Sequence, residues 1–332
     1  HRHTVPPKRG FWTSRLGFIM ASAGSAVGLG NIWKFPYITG MHGGGAFVLF
    51  FIFCIMTIGI PIMIAEMVIG RHTHKHPVGA FRSARGGIWT LVGWLGVAAG
   101  FAILSYYCVV AGWAVDYLWL SLRGTFGGQR SSVVPQLFSV LLENDPAQLF
   151  WQAMFMGMSV FIVIGGVRRG LERANKIMMP ILFMILATLA FYGCFSPGGS
   201  AAFRFLFSAD WSKLDQPGML EAMGHAFFSL SLGMGAMLTY GSYADEKTGI
   251  PSVAVTVSVM DTMVALLSGM AIFPIVFTYG MQPAAGPGLV FKTLPIIFSQ
   301  MPGGTLLAIL FFLLLVFAAL TSSISLLEVV VA

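Results

Sequence analysis

The sequence predicts an all-α, polytopic membrane protein, and three observations carry that reading. The chain is 57% apolar and 9% charged, with 29 Phe, 20 Met and 40 Gly in 332 residues, more apolar surface than a water-soluble core encloses, so lipid must be its solvent. Stretches long enough to cross a hydrocarbon core, about 20 residues each, recur along its whole length. The Lys and Arg residues cluster in the short connections between them, where they set topology. All the spans are read as helices, because lipid offers no hydrogen-bond partner to open backbone.

In order the spans are 14–39, 46–70, 89–122, 148–167, 176–196, 219–243, 250–280 and 303–332. Residues 1–13 are a polar tail without the apolar stretch of a cleavable signal. The tail (Arg2, Lys8, Arg9), the second-to-third connection (Arg71, Lys75, Arg82, Arg85) and the fourth-to-fifth connection (Arg168, Arg169, Arg173, Lys176) hold the basic excess and are assigned to the cytoplasm. The opposite connections balance Arg123 and Arg130 against Glu143 and Asp145, and Arg204 and Lys213 against Asp210 and Asp215, and face outward. The connection Asp245-Glu246-Lys247 is placed inside although it has no basic excess. Topology thus accounts for the net charge of +7, and nucleic acid is not an expected partner. Cys54, Cys108 and Cys194 lie in apolar spans and read as small hydrophobes.

Weak helix formers gather in two spans. The first carries Gly24, Gly28 and Gly30, then Pro36, and the sixth carries Gly233 and Gly235 after Ser229 and Ser231. One reading is close helix packing through small residues. The other is a pair of broken helices around a midplane site, as in transporters built from inverted repeats, where the sixth span opens the second repeat. Glycines clustered with side-chain oxygens at one depth favour the second. Unwound backbone in hydrocarbon costs several kcal/mol per orphaned group. Half-helix N-termini suit a carboxylate, and freed carbonyls and half-helix C-termini suit a cation. A small hard cation such as sodium calls for oxygen ligands, and Thr321-Ser322-Ser323 in the eighth span offers hydroxyls. Such hydroxyls also bond back to their own turn.

Ionisable residues at membrane depth are functional candidates. Glu66 in the second span is read as an anchor for unpaired N–H groups of a neighbouring broken helix. Asp261 in the seventh reads equally as a fixed counter-charge beside a cation, a titrating group or an acceptor in a helix contact. Glu328, near the chain's end, calls for no special role, and His225 beside Phe227 and Phe228 reads as a hydrogen-bonded packing residue. No CxxC, P-loop, nucleophile elbow or HExxH pattern is present, which leaves an enzyme without support.

The run Gly24-Ser25-Ala26-Val27-Gly28-Leu29-Gly30-Asn31-Ile32-Trp33-Lys34-Phe35-Pro36 resembles the first-helix signature of the neurotransmitter:sodium symporter family, including its bacterial amino-acid members. Further matches are Gly43-Gly44-Gly45-Ala46-Phe47, Gly59-Ile60-Pro61 with Glu66 and Gly70-Arg71, Gly170-Leu171-Glu172-Arg173, Phe227-Phe228-Ser229-Leu230-Ser231-Leu232-Gly233 and Leu320-Thr321-Ser322-Ser323. The resemblance implies an inverted-repeat transporter with a first repeat at 14–196, an extracellular loop at 197–218 and a second repeat beginning at 219, expected to be incomplete because this chain ends in the eighth span. It implies a multi-pass protein of the plasma or inner membrane with a cytoplasmic N-terminus.

The same resemblance implies two Na⁺ sites. The first would use the Ala26 carbonyl, Asn31, Ser229, Asp261 and the substrate carboxylate; the second would use carbonyls of Gly24, Val27 and Ala318 with the Thr321 and Ser322 hydroxyls. The substrate carboxylate would meet the Leu29 and Gly30 amides and the Tyr107 hydroxyl, and its side chain would face Ile103, Phe228, Ser231, Met234, Ser322 and Leu326. Lys34 resembles an outer gate cation under which Phe228 and Tyr107 form a lid, and Arg9, Trp12 and Tyr243 resemble an inner gate. Gly28 stands where monoamine carriers have an aspartate, implying a ligand that brings its own carboxylate: a neutral, hydrophobic or aromatic amino acid. Asp261 replaces the family's usual asparagine and implies that no chloride is needed. A sensor of the same fold that binds without transporting is the alternative, and reconstituted flux separates the two; a channel would pass solute fast and without coupling to an amino acid. Sodium-driven uptake is expected to survive replacement of chloride by gluconate, and in Asp261→Asn either to depend less on sodium or to acquire a chloride requirement; clear loss of uptake in gluconate would refute the first expectation.

Overall fold

The computed structural model describes residues 11–127, 133–284 and 286–332, and every regular element among them is helical. In chain order these are α1 (Arg15–Ala26), α2 (Gly30–Met41), α3 (Gly45–Thr73), α4 (Pro77–Ala84), α5 (Trp89–Leu122), α6 (Val134–Glu143), α7 (Asp145–Ile164), α8 (Val167–Cys194), α9 (Gly199–Phe207), a single 3₁₀ turn (Trp211–Lys213), α10 (Gln216–Ser229), α11 (Ala236–Gly241), α12 (Ile250–Thr278), α13 (Leu289–Gln300) and α14 (Gly304–Val331). Six of them, α3, α5, α7, α8, α12 and α14, are long and apolar enough to cross a bilayer unbroken.

Two of the expected spans are interrupted. α1 and α2 form one bent span, kinked by 46°. The Ser14 hydroxyl opens α1 by accepting the Gly17 amide at 3.0 Å, which satisfies one of the N–H groups a helix start leaves unpaired. The helix ends where Val27 adopts an extended ψ of 96°, and α2 restarts through a wide π-helical turn, Gly30–Lys34. The sixth span is α10 and α11. Asp215 caps α10 by accepting the Gly218 amide at 2.8 Å. Beyond Ser229 the φ angles of Ser231, Gly233 and Gly235 are +56°, +74° and +78°, a region that a right-handed helix does not use. Glycine reaches it freely; Ser231 is held there by its hydroxyl, which donates to the Ser25 carbonyl at 2.8 Å.

The unbroken helices frame the broken ones. α14 lies along α5 and α12 along α8, while α1 packs against α8, α12 and α14 and α11 against α3. The fifth span begins at Val167, ahead of the expected 176. The basic cluster that suggested a connection lies on the exposed face of its first turns: Arg168, Arg169 and Arg173 point outward, while Val167, Gly170, Leu171 and Glu172 are buried. Four short helices, α4, α6, α9 and α13, occupy stretches that read only as connections, because each is too short to give a membrane-length apolar signal.

Where α11 crosses α3 the two backbones touch. A Cβ on Gly241 would come within 2.6 Å of the Met67 carbonyl oxygen, and one on Gly70 would overlap the Leu238 carbonyl. Small residues permit such approaches, and dispersion between the backbones holds them. Gly241→Ala is expected to cost about 1–3 kcal/mol through overpacking, read as a lower melting temperature in detergent; an unchanged melting temperature would mean that the helices do not meet there.

Candidate functional site

The two interruptions face each other, and three side chains join them to the frame. Asn31 on α2, Ser229 at the end of α10 and Asp261 on α12 are fully or almost fully buried. Asn31 Nδ2 donates to Asp261 Oδ1 at 2.8 Å and to the Asp261 carbonyl at 3.0 Å, and the Ser229 hydroxyl donates to Asp261 Oδ2 at 2.7 Å. Asn31 Oδ1 in turn accepts the Gly28 amide at 3.3 Å. Residues more than two hundred positions apart in sequence thus form one polar cluster around a carboxylate, at the edge of a cavity that Ala26 also lines.

A second cluster lies between the end of α1 and the middle of α14. The Thr321 hydroxyl sits 3.2 Å from the Val27 carbonyl and 3.0 Å from the Ala318 carbonyl. The Ser322 hydroxyl sits 3.3 Å from the Gly24 carbonyl and 2.9 Å from that of Ser25. Three carbonyls of the unwinding end of α1 therefore meet hydroxyls of one helical turn. Ser25 had no assigned part, yet its carbonyl accepts from both Ser231 and Ser322, and its hydroxyl donates to Ser325 at 2.7 Å.

Between the clusters is a small cavity of about 20 Å³. Gly28, Gly30, Tyr107, Ser231 and Ser322 form its polar wall, and Ile103, Phe228, Met234 and Leu326 its apolar one. The Leu29 amide donates to the Tyr107 hydroxyl at 3.0 Å, so two groups expected to meet one carboxylate lie side by side; the Leu29 side chain itself lines a neighbouring cavity. A Cβ on Gly28 would overlap Ser322 Oγ and come within 2.7 Å of the Tyr107 oxygen. At one end of the site, Lys34 Nζ lies 5.2 Å from the Phe228 ring centre, beside Trp33, Tyr37 and Tyr106. At the other end, Trp12 Nε1 donates to the Tyr240 carbonyl at 2.9 Å, its amide donates to that of Tyr243 at 3.1 Å, and its ring packs edge-on against both tyrosines. Arg9 lies outside the described residues. Glu66 Oε1 accepts the Gly233 amide at 2.7 Å, within the interruption of the sixth span.

With this geometry in hand, the chain matches the sodium:neurotransmitter symporter family over residues 9–133 and 142–332. It belongs to that family. An uncharacterised sodium-dependent transporter of Bacillus subtilis is 41% identical over 97% of this chain and 71% of its own length, and one of Haemophilus influenzae is 36% identical over 98% and 73%. The crystal structure of MhsT in complex with L-phenylalanine superposes with a TM-score of 0.91 at 48% identity, covering 97% of this chain and 73% of that one. The more distant bovine sodium- and chloride-dependent taurine transporter is 26% identical over 96% of this chain and 59% of its own. The chain is accordingly a sodium-dependent, multi-pass membrane transporter with the fold of the symporter family.

Two residues of this symporter differ from their reading in the sequence, and a third had none. Glu328 has a partner: the Tyr243 hydroxyl donates to its Oε1 at 2.6 Å. Nothing local to Glu328 signals this, because Tyr243 lies 85 positions away. His225 is not hydrogen-bonded; it is fully buried among the rings of Phe35, Phe51 and Phe228, and neither ring nitrogen has a partner. Glu172, quoted only as part of a motif, is buried and accepts the Thr13 amide at 2.8 Å and the Lys176 ammonium at 2.6 Å, with the Thr13 hydroxyl as a third donor. It fastens the start of α1 to α8.

Glu66→Leu takes away the acceptor of the Gly233 amide and is expected to cost about 0.5–1.5 kcal/mol, whereas Glu66→Gln keeps an acceptor and should lose less. Thermal unfolding in detergent separates them, and equal losses would show that the hydrogen bond to Gly233 carries no weight.

Proposed function

We propose that this transporter is a symporter of a neutral amino acid with an apolar or aromatic side chain, driven by two sodium ions and independent of chloride. The observation that carries the reading is the small cavity between the two interrupted spans, polar on one wall and apolar on the other. The substrate carboxylate would bind at the Leu29 and Gly30 amides and the Tyr107 hydroxyl. Its side chain would lie against Ile103, Phe228, Ser231, Met234, Ser322 and Leu326. Gly28 supports a ligand that carries its own carboxylate, since any side chain there would collide with Ser322 and Tyr107. The relative crystallised with L-phenylalanine supports an aromatic substrate.

The first sodium would sit among the Ala26 carbonyl, Asn31, Ser229, Asp261 and that carboxylate, and the second among the Gly24, Val27 and Ala318 carbonyls and the Thr321 and Ser322 hydroxyls. Both donor sets are all oxygen, as a small hard cation prefers, and among the described residues no three His, Cys, Asp or Glu side chains converge to favour a softer ion. Asp261 would supply the negative charge that relatives recruit as chloride.

The cycle follows from the interruptions. With residues 14–196 and the segment from 219 onward as inverted halves, and the N-terminus in the cytoplasm, ions and substrate enter from outside. Phe228, Tyr107 and Lys34 close over them. The broken helices then rock against the frame and loosen Trp12 and Tyr243 on the inner side. One charge moving through 100 mV is worth about 2.3 kcal/mol, so two sodium ions contribute about 4.6. Coupling is reciprocal if the carboxylate completes the first sodium shell, each ligand then raising the other's affinity.

Binding of a panel of radiolabelled amino acids to the purified protein tests the reading. Saturable, sodium-dependent binding of large apolar or aromatic amino acids is expected, with affinity reduced at least about tenfold in Gly28→Asp, the loss of one charge-assisted contact. Equal binding of an amine without a carboxylate would sink the assignment, and binding without flux after reconstitution would leave a sensor in place of a symporter.

A further inference from the structure

α1 carries two glycines two turns apart, Gly17 and Gly24, and α8 fills both notches with polar side chains. A Cβ on Gly17 would overlap the Glu172 carboxylate, and one on Gly24 would overlap Asn175 Oδ1 and come within 3.0 Å of Asn175 Cγ. The two fillings differ in one respect. Every direction around Glu172 is used, by Thr13 and Lys176. Asn175 is only half engaged. Its Nδ2 donates to the Leu171 carbonyl at 2.9 Å, which fixes which way the amide faces and directs Oδ1 toward Gly24. That oxygen has no hydrogen-bond donor among the described residues, although the residue is fully buried. A buried amide oxygen without a partner is costly, and most buried polar atoms have one.

The place where Oδ1 points is informative. The Cβ position of Gly24 lies 3.3 Å from Thr321 Cβ, so Asn175 and Thr321 flank the same glycine from two helices. The Gly24 carbonyl is one of the five oxygens assigned above to the second sodium ion, with those of Val27, Ala318, Thr321 and Ser322. Sodium is a hard cation that takes oxygen donors, and a shell of five leaves room for a sixth. An amide oxygen is a neutral hard donor of the same kind as a peptide carbonyl.

We propose that Asn175 is a further residue of the second sodium site, its Oδ1 supplying the oxygen on the α8 side that the carbonyls of α1 and the hydroxyls of α14 do not. The proposal rests on the two-sodium reading above and adds a residue to it. It gives α8, otherwise a frame helix, a direct part in holding the ion, and it makes the seating of α1 against α8 a condition for tight sodium binding.

Sodium titration of radiolabelled amino-acid binding to the purified protein tests this. Asn175→Ala should raise the half-saturating sodium concentration about fivefold, the size of one neutral polar contact, while amino-acid affinity at saturating sodium stays unchanged. Asn175→Asp places a full charge at the same atom and should lower the half-saturating concentration below that of Asn175→Ala. Should the alanine variant fail to fold, Asn175→Ser, which withdraws the oxygen by one atom, is titrated in its place with the same expected rise. A packing role alone would lower the melting temperatures of the variants without separating their sodium curves. Curves that overlay the wild type would overturn the inference. Thr321→Ala distinguishes the two levels: if it too leaves the sodium dependence of the wild type unchanged, the second sodium site itself is wrong.

Discussion

The constraint on which this molecule depends is that a peptide group unwound inside a membrane must find a partner from another helix. Two stretches, Val27–Leu29 and Leu230–Gly235, leave the helix within the apolar layer. Each is met by side chains, some from the frame and some from the interrupted spans themselves. Glu66 on α3 takes the Gly233 amide, Asn31 takes that of Gly28, and the Ser231, Thr321 and Ser322 hydroxyls take carbonyls at the end of α1. Many of the polar residues of the interior therefore gather where the helices break.

The same economy joins ion and substrate chemistry. Ser229 touches Asp261 with its hydroxyl and also lines the central cavity. Ser322 reaches the carbonyls of α1 and faces the same cavity. A ligand in the cavity and a cation in either cluster would share atoms, which is the structural basis for linked affinities. The ends of α1 are held by different means. Its start is fastened by Glu172 and Thr13, and its finish is held by hydroxyl contacts, most of them to carbonyls that a cation could take instead.

Much of this was legible in the residues. Span positions followed from uninterrupted apolar length, and the breaks followed from Gly28, Gly30, Gly233 and Gly235 lying beside hydroxyls and Asn31. The cluster residues named from the family resemblance are brought within hydrogen-bonding distance of one another or around one cavity. Other features were hidden for definite reasons. The start of α8 was masked because its arginines occupy one face while Val167, Leu171 and Glu172 occupy the other, and a window average does not see faces. Glu328 and Asn175 owe their surroundings to residues 85 and about 150 positions away, and no local pattern marks such partners.

The sequence by itself determined the solvent, the helices and the places where they break, because apolar length and backbone propensity are properties of contiguous residues. It also determined the chemistry on offer at the breaks, the oxygens of backbone, Ser, Thr, Asn and Asp side chains. Only the tertiary structure decided which oxygens converge. Hydrogen bonds act over about 3 Å, and whether Asp261 meets Asn31, or Asn175 meets Gly24, depends on how helices hundreds of residues apart are laid against one another.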